Sequence, residues 1–514
     1  MSVDATAKVR YGQAAGRWVL LATVLGAGLT FIDATVVNIA LPQIGERLHA
    51  DAAGLQWTVN GYTLSLASLI LLGGSLGDRF GRRRVFVIGI VWFAVASLLC
   101  GLAPNIEVLI AARVLQGVGG ALLTPGSLAI LESSFESDDR ARAIGAWSGL
   151  GGVAGALAPF LGGWLVEAWS WRLVFLINVP LAIAVALIAM RHVPESRDPD
   201  AAQKLDIGGF VTGALGLGGL TYGFTAWPSL GPGSPVVITT LLVGVAGLVG
   251  FVYVERRSRH PMLPLDVFKS RAFSATNLVT FVVYAALGGM FFLIVLNLQV
   301  VAGFSPIAAG TAMLPVTLLM LLLSARAGQL GQRIGPRLPM TVGPLICAVG
   351  LVPLAFIGPH VSYWWGVLPA ILVLGVGLST TVAPLTATAL GSVDSRHAGV
   401  ASGVNNAVAR AAGLLAVAIL PLAAGIGAGS LTDPKALGPM YKTAIFICAG
   451  LMVVGAVVAF FGVPNRLPPR DEPAVSPTPP AKAPADEGAR YHCSISGPPL
   501  LPQAPPSRAG SSPA

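Results

Sequence analysis

Charge is scarce in this chain. Only 11% of its 514 residues are Asp, Glu, Lys or Arg, and 54% are hydrophobic, whereas soluble domains average about 25% charged residues. Mean hydropathy is +0.76. That shortage excludes a large soluble protein with a greasy core, which needs polar faces on its helices. Cysteine is nearly absent too: Cys100, Cys347 and Cys448 lie in apolar runs, and Cys493 lies near the C-terminus. Their spacing gives neither a zinc site nor a disulfide framework. A nucleotide loop is also missing. The glycine-rich "GVGG" and "GLGG" follow no strand and precede no Walker lysine, which argues against an ATP-driven pump built from this chain alone. No signal peptide is evident, because the first apolar run continues through Asp33 to Pro42 without a cleavage site.

What the chain has is apolar runs of about 20 residues, the length that crosses a bilayer as helix. Fourteen spans are expected, divided by turn chemistry such as "WPSLGPGSP" at 227–235 and "AGFSP" at 302–306. With an even number of spans both termini lie on one side. That side collects eighteen Lys and Arg residues in its loops, among them Arg79, Arg82, Arg83, Arg84, Arg256 and Arg337, against four on the other side. The positive-inside rule makes the basic side, and both termini, cytoplasmic. The net charge of +9 is therefore an orientation signal and not a nucleic-acid surface.

The chain repeats itself. "GSLGDRFGRRR" from Gly74 aligns with "GQLGQRIGPR" from Gly328 at an offset of 254, and "RAIGAWSG" (142–149) resembles "RHAGVASG" (396–403) at the same offset. Two six-helix halves with two extra spans between them account for the length. The expected fold is an all-α integral membrane protein arranged six plus two plus six. Its expected parts are an N-terminal segment (1–17), a six-helix bundle (18–190), two inserted helices (207–254) and a second six-helix bundle (273–462). Residues 464–514 contain fourteen prolines, too few apolar groups to offset their ordering entropy, and are expected to form a disordered cytoplasmic tail. Parallel halves suit a rocking transporter with its site between them.

Ionisable residues deep in the spans stand out, since each costs about 2.5–3.5 kcal/mol on insertion scales. Asp33, Arg113 and Arg410 are the deepest. Asp33 lies nine residues before Pro42 and Arg113 six after Glu107, so both lie roughly 9–14 Å below the same face at 1.5 Å per residue. They are expected to pair or to face a wet cavity. Asn406 sits one turn before Arg410 on the same face, and the second half offers Arg410 no deep acid. Backbone carbonyls at a kink, an anionic part of a substrate and Asp33 itself all remain open as its partner. Asn38 and Gln116 are further polar candidates for a cavity. Small residues four apart at Gly145/Gly149, Gly151/Gly155 and Ala158/Gly162 permit close helix contact, and Pro159 can kink that span.

These residues resemble the major facilitator superfamily, in its fourteen-helix drug:proton antiporter branch (EmrB/QacA type). "GSLGDRFGRRR" resembles motif A, "FIDATVVNIALP" the first-helix signature and "RVLQGVGGA" (113–121) motif B. "GALAPFLGG" (155–163) resembles the antiporter motif C, with Ala158 in place of the usual glycine before proline, and "WSWRLVFLINVP" (169–180) is also typical. The resemblance implies the major facilitator fold, with helices one and four as neighbours around a cavity. It implies a conformational latch at Gly74, Asp78, Arg79, Gly81 and Arg82, and a gate between the halves at Gly155, Pro159, Gly162 and Gly163. The carboxylate of Asp78 is expected against a neighbouring helix end, where it is favoured by the helix dipole.

The function so implied is energy-coupled export of drugs or antibiotics with no covalent catalysis, with Asp33 and Arg113 coupling proton and substrate. One proton entering across about 100 mV supplies about 2.3 kcal/mol, a gradient of roughly fiftyfold. A uniporter or anion uptake permease of the same fold, and a membrane sensor that binds without transport, are the alternatives. No cofactor and no metal is expected, the proton gradient being the energy source. The expected partners are a small amphipathic substrate, protons and the lipid bilayer, with no nucleic acid and with the chain acting as a monomer in the cytoplasmic membrane.

Overall fold

The computed structural model describes residues 9–198, 206–258, 261, 263–393, 398–425, 431 and 433–465. The proline-rich segment, Lys204, Arg259 and Arg396 lie outside the described residues. The described part is helical, and its one strand-like feature is an isolated bridge between Val9 and Phe135.

The helices are α1 (Ala14–Leu48), α2 (Ala52–Phe80), α3 (Arg82–Leu102), α4 (Ile106–Ser134), α5 (Ser137–Ala168) and α6 (Leu173–His192), then α7 (Ile207–Leu230) and α8 (Pro235–Arg257). A short 3₁₀ turn (Leu265–Lys269) leads into α9 (Arg271–Val300), α10 (Pro306–Ala312 continued as Leu314–Ile334), α11 (Arg337–Leu354), α12 (Tyr363–Gly391), α13 (Ala398–Ala423) and α14 (Pro434–Gly462). Thirteen of these are long and apolar enough to cross a membrane. The fourteenth is α5. It carries the apolar stretch Val153–Ala168. The protein is thus a multi-pass membrane protein.

Local sequence sets where helices begin. Asp51, Asn105, Asp206 and Ser270 accept hydrogen bonds from the backbone N–H groups of Gly54 (2.8 Å), Val108 (2.9 Å), Gly209 (2.7 Å) and Phe273 (3.3 Å). Each satisfies a donor that the first helical turn leaves unpaired. Glycine then sets how closely helices approach. A β-carbon on Gly119 would lie 2.7 Å from the Phe93 backbone nitrogen, and one on Gly117 would overlap the Tyr62 carbonyl. So α4 packs directly on α3 and α2. Without a hydrophobic force between helices in lipid, such backbone contact is the main source of association.

Helices α1–α6 form one bundle and α9–α14 a second. They meet along α1/α9, α5/α10 and α2/α13. The α7–α8 hairpin packs on itself through Gly216, Gly219, Gly244 and Gly247, and α7 lies against both α2 and α13. Among the described residues, two hydrogen bonds join the bundles. Gln299 Nε2 donates to the Ile39 carbonyl (3.0 Å), and the Ile307 N–H donates to Glu167 Oε2 (3.0 Å). Both lie at the end opposite the arginine-rich loops.

The repeat extends to individual contacts. Gly81 and Gly335, 254 residues apart, follow α2 and α10 with φ of 114° and 91°, a region that favours glycine. Two residues on, Arg83 donates to the Val193 carbonyl (3.1 Å) and Arg337 to the Val463 carbonyl (2.8 Å). Val193 and Val463 are the residues just past α6 and α14. The start of the third helix of each half is thereby fastened to the exit of that half's sixth helix.

Candidate functional site

The deepest charges are brought together. Arg113 on α4 donates through one terminal nitrogen to Asp33 Oδ2 on α1 at 2.6 Å, with the side chains 1% and 0% exposed. The other carboxylate oxygen, Oδ1, accepts from Gln116 Nε2 (2.8 Å) and Asn178 Nδ2 (3.2 Å). Three donors thus meet on one carboxylate. The same Arg113 nitrogen reaches Gln116 Oε1 (2.7 Å), and its Nε donates to the Thr58 carbonyl (3.0 Å). Ser97 Oγ accepts from Gln116 (3.1 Å) and Asn178 (3.1 Å) and donates to the Phe175 carbonyl (2.8 Å). The guanidinium lies over the Tyr62 ring, 4.3 Å from its centroid, a cation–π contact.

The network therefore ties α1, α2, α3, α4 and α6 together inside the first bundle. Gln116 belongs to it, as a turn of helix after Arg113 allows. Asn178, Ser97, Thr58 and Tyr62 were not singled out in the sequence. Asn178 sits within the apolar "WRLVFLINVP", and its polarity in that run is the signal that could have found it. Asp33 does not line an open space: it is fully buried inside the first bundle.

Arg410, on α13, is partly buried, and its Nε is buried without a hydrogen-bond partner. Among the described residues no backbone carbonyl and no carboxylate binds it, so neither a kink carbonyl nor Asp33 is its partner. Asn406 is exposed and donates to the Ser402 carbonyl (3.0 Å) on its own helix. Its neighbour Asn405 is the inward residue and donates to Asn277 Oδ1 (3.2 Å) and Thr280 Oγ1 (2.8 Å) on α9. Asn38 Nδ2 donates to the Ala34 carbonyl (3.1 Å), and its Oδ1 is buried without a partner.

The motif A residues form a clamp. The Asp78 carboxylate lies beside the first residue of α3. It pairs with Arg82 one turn on, at 2.8 Å. The contact with a neighbouring element is made by backbone and by Glu195, beyond α6. The Arg82 N–H donates to the Ser196 carbonyl (2.9 Å), the Asp198 N–H to the Asp78 carbonyl (3.0 Å), and the Arg83 N–H to Glu195 Oε1 (3.0 Å). Gly81 faces Glu195 so closely that a β-carbon would lie 2.8 Å from its carboxyl carbon. Gly74 rests against Pro125 of α4, and Arg79 lies over Phe80.

Motif C divides in two. A β-carbon on Gly162 would lie 2.7 Å from Val36 of α1, and one on Gly163 would lie 2.5 Å from Ile307 Cα on α10 of the other bundle. Gly310 meets the Pro159 carbonyl with equal closeness. Here the bundles touch backbone to backbone. The close contact expected at Gly145, Gly151 and Gly155 is not there: nothing lies within 4 Å of a β-carbon at any of them. Among the described residues no cluster of His, Cys, Asp and Glu could hold a metal ion.

Comparison with known proteins gives the same picture. Residues 23–417 match the Major Facilitator Superfamily. The chain is 35% identical over 480 residues to the puromycin resistance protein pur8 of Streptomyces alboniger, covering 91% of this chain and 95% of that one. It is 33% identical over 459 residues to a tetracenomycin C resistance and export protein of Streptomyces glaucescens, covering 87% and 84%. It is 35% identical over 389 residues to the multidrug resistance protein Stp of Mycobacterium tuberculosis, covering 76% and 72%. In fold it is similar to a bacterial homologue of the human lysosomal transporter Spinster in an inward-facing, unoccupied conformation, with a TM-score of 0.64 at 19% identity, covering 88% of this chain and 97% of that one.

Proposed function

The chain belongs to the major facilitator superfamily, and we infer that it exports small amphipathic drugs or antibiotics across the cytoplasmic membrane in exchange for protons. It is a transporter rather than an enzyme, like its resistance and export relatives. The arginine-rich ends of α2, α8 and α10 face the cytoplasm, and both termini lie there. The observation that carries the coupling is the Asp33–Arg113 pair: a carboxylate with no exposure, held by one cation and two amides.

Such a pair is a switch. Breaking one partner of a buried ion pair costs about 3–5 kcal/mol, so the pair stays closed while Gln116 and Asn178 also hold Asp33. A proton entering from the outer face neutralises Asp33 and frees Arg113. The freed charge changes how α1, α4 and α6 fit, and the bundles swing. The proton leaves when the site next opens to the cytoplasm and the pair re-forms. The backbone seal of α5 on α10 closes the outer face in the present arrangement, which leaves the inner face as the side for loading. Motif A and Glu195 hold α2 to the end of α6, so the first bundle moves as one body.

The experiment uses the purified full chain in proteoliposomes with an imposed proton gradient, an internal pH-sensitive dye and a panel of antibiotics. Substrate movement that requires proton entry in the opposite direction supports antiport. Substrate movement with no proton entry rejects it.

A further inference from the structure

The outward face of α3 is concave. Ile88, Val91, Trp92, Val95 and Leu99 of α3, with Leu115 of α4, line an apolar groove of about 420 Å³. Ile88, Val91 and Val95 are 50%, 51% and 54% exposed, so no other part of the chain covers them. The Trp92 indole N–H donates to the Leu115 carbonyl at 2.7 Å. That bond satisfies the one polar group of the ring and holds the indole as a wall of the groove. In a chain that spans a bilayer, such a face meets acyl chains.

Arginine stands at one end of this groove. Three arginines follow Gly81, and two are committed: Arg82 pairs with Asp78 (2.8 Å), and Arg83 donates to the Val193 carbonyl (3.1 Å). Arg84 is exposed and, among the described residues, has no hydrogen bond or ion pair. Steps of four, three and four residues put Arg84, Ile88, Val91 and Val95 on one face of α3. Arg84 therefore stands in line with the groove, one turn before Ile88, on the arginine-rich side. From Ile88 to Leu99 the helix rises about 16 Å at 1.5 Å per residue. That is close to one leaflet of a hydrocarbon core about 30 Å thick.

We propose that this groove binds an anionic phospholipid of the leaflet on the arginine-rich side, with one acyl chain along α3 and the phosphate on Arg84. The length of the groove matches a chain that enters from that leaflet. A guanidinium offers paired N–H donors to a phosphate, and acidic lipids are drawn to a cation near the membrane surface. A zwitterionic lipid would fill the groove but bring its own cation beside Arg84. An apolar helix of another protein would leave Arg84 unanswered. The site lies on the lipid-facing side of the first bundle and does not depend on the export reading.

The test is native mass spectrometry of the purified full chain with dioleoyl phosphatidylglycerol and dioleoyl phosphatidylcholine, which share their chains and differ in charge. Phosphatidylglycerol should be retained about fivefold more strongly, the worth of one charge near a membrane surface. Arg84→Gln should remove that preference and Arg84→Lys should keep part of it. Val91→Trp fills the groove from an exposed position and should lower retention of both lipids severalfold. Thermal unfolding in detergent gives a second reading: phosphatidylglycerol should raise the unfolding temperature of the parent more than that of Arg84→Gln. Equal retention of the two lipids would overturn the site. So would a preference that survives Arg84→Gln, the mark of lipid held all round the protein, or full retention in Val91→Trp. A dimer that forms by expelling the lipid would give the groove to a second copy and overturn it too.

Discussion

Arg83 and Arg337 stand 254 residues apart and make one and the same contact, each holding the carbonyl just past the sixth helix of its own bundle. A short motif repeat in the sequence is thus a repeat of hydrogen bonds. The two sites are not equivalent in charge, because Asp78 of the first half is Gln332 in the second, and Glu195 approaches Arg83 at 3.7 Å. The first half therefore carries an ionic clamp and the second a neutral one.

The clamps should be separable by mutation. Arg83→Ala and Arg337→Ala each remove one hydrogen bond from a charged donor at a partly exposed site, an expected loss of about 1 kcal/mol. Arg83→Ala should cost the more, since it also releases Glu195. Thermal unfolding in detergent reads both, and an equal loss would show that Glu195 adds nothing. High salt should narrow the gap.

Asp33→Asn should leave the protein inserted in the membrane while reducing proton-coupled efflux to background. It keeps the shape and the Gln116 and Asn178 partners but leaves Arg113 unpaired, at an expected cost of about 3–5 kcal/mol in stability. The double variant Asp33→Asn with Arg113→Gln should recover much of that stability without recovering transport. Efflux at the parental level in Asp33→Asn would remove the coupling role.

Asn178→Leu deletes a donor to Asp33 and to Ser97. A loss of about 1–3 kcal/mol is expected from the amide and its orphaned partners. Export should fall even at temperatures where the protein remains folded. Parental export would make Asn178 a packing residue only.

Substitutions in α5 should split as its glycines do. Gly163→Ala forces a β-carbon to within 2.5 Å of the Ile307 Cα and should hold the bundles apart at that end, lowering efflux at unchanged protein level. Gly155→Ala meets nothing within 4 Å and should behave as the parent. Efflux from everted vesicles, normalised to protein, separates the two cases.

The helices were legible because burial in lipid demands long apolar runs, and their loops announce themselves by arginine. The Asp33–Arg113 contact was legible from matching depth together with the resemblance, which makes helices one and four neighbours. The remainder of the network was not. Ser97, Thr58, Tyr62 and Asn178 are neutral, and they come from helices scattered over 121 positions, so neither cost nor spacing marks them. Asn405 and Asn406 show the finer difficulty. Adjacent residues on a helix point about 100° apart, and without the packing against α9 nothing fixes which one turns inward. Gly145, Gly151 and Gly155 of α5 show the same limit, since a spacing of four names a face and not its neighbour.

The seal of α5 on α10 is made by main chain against main chain at Gly163, Ile307, Pro159 and Gly310. Its closest approaches are set by glycines against main chain, with one hydrogen bond from the Ile307 N–H to Glu167, so closure is governed by backbone fit and not by what passes. Lineages of such chains are free to retune their taste in antibiotics by changing residues of the interior while inheriting the closing mechanism unaltered.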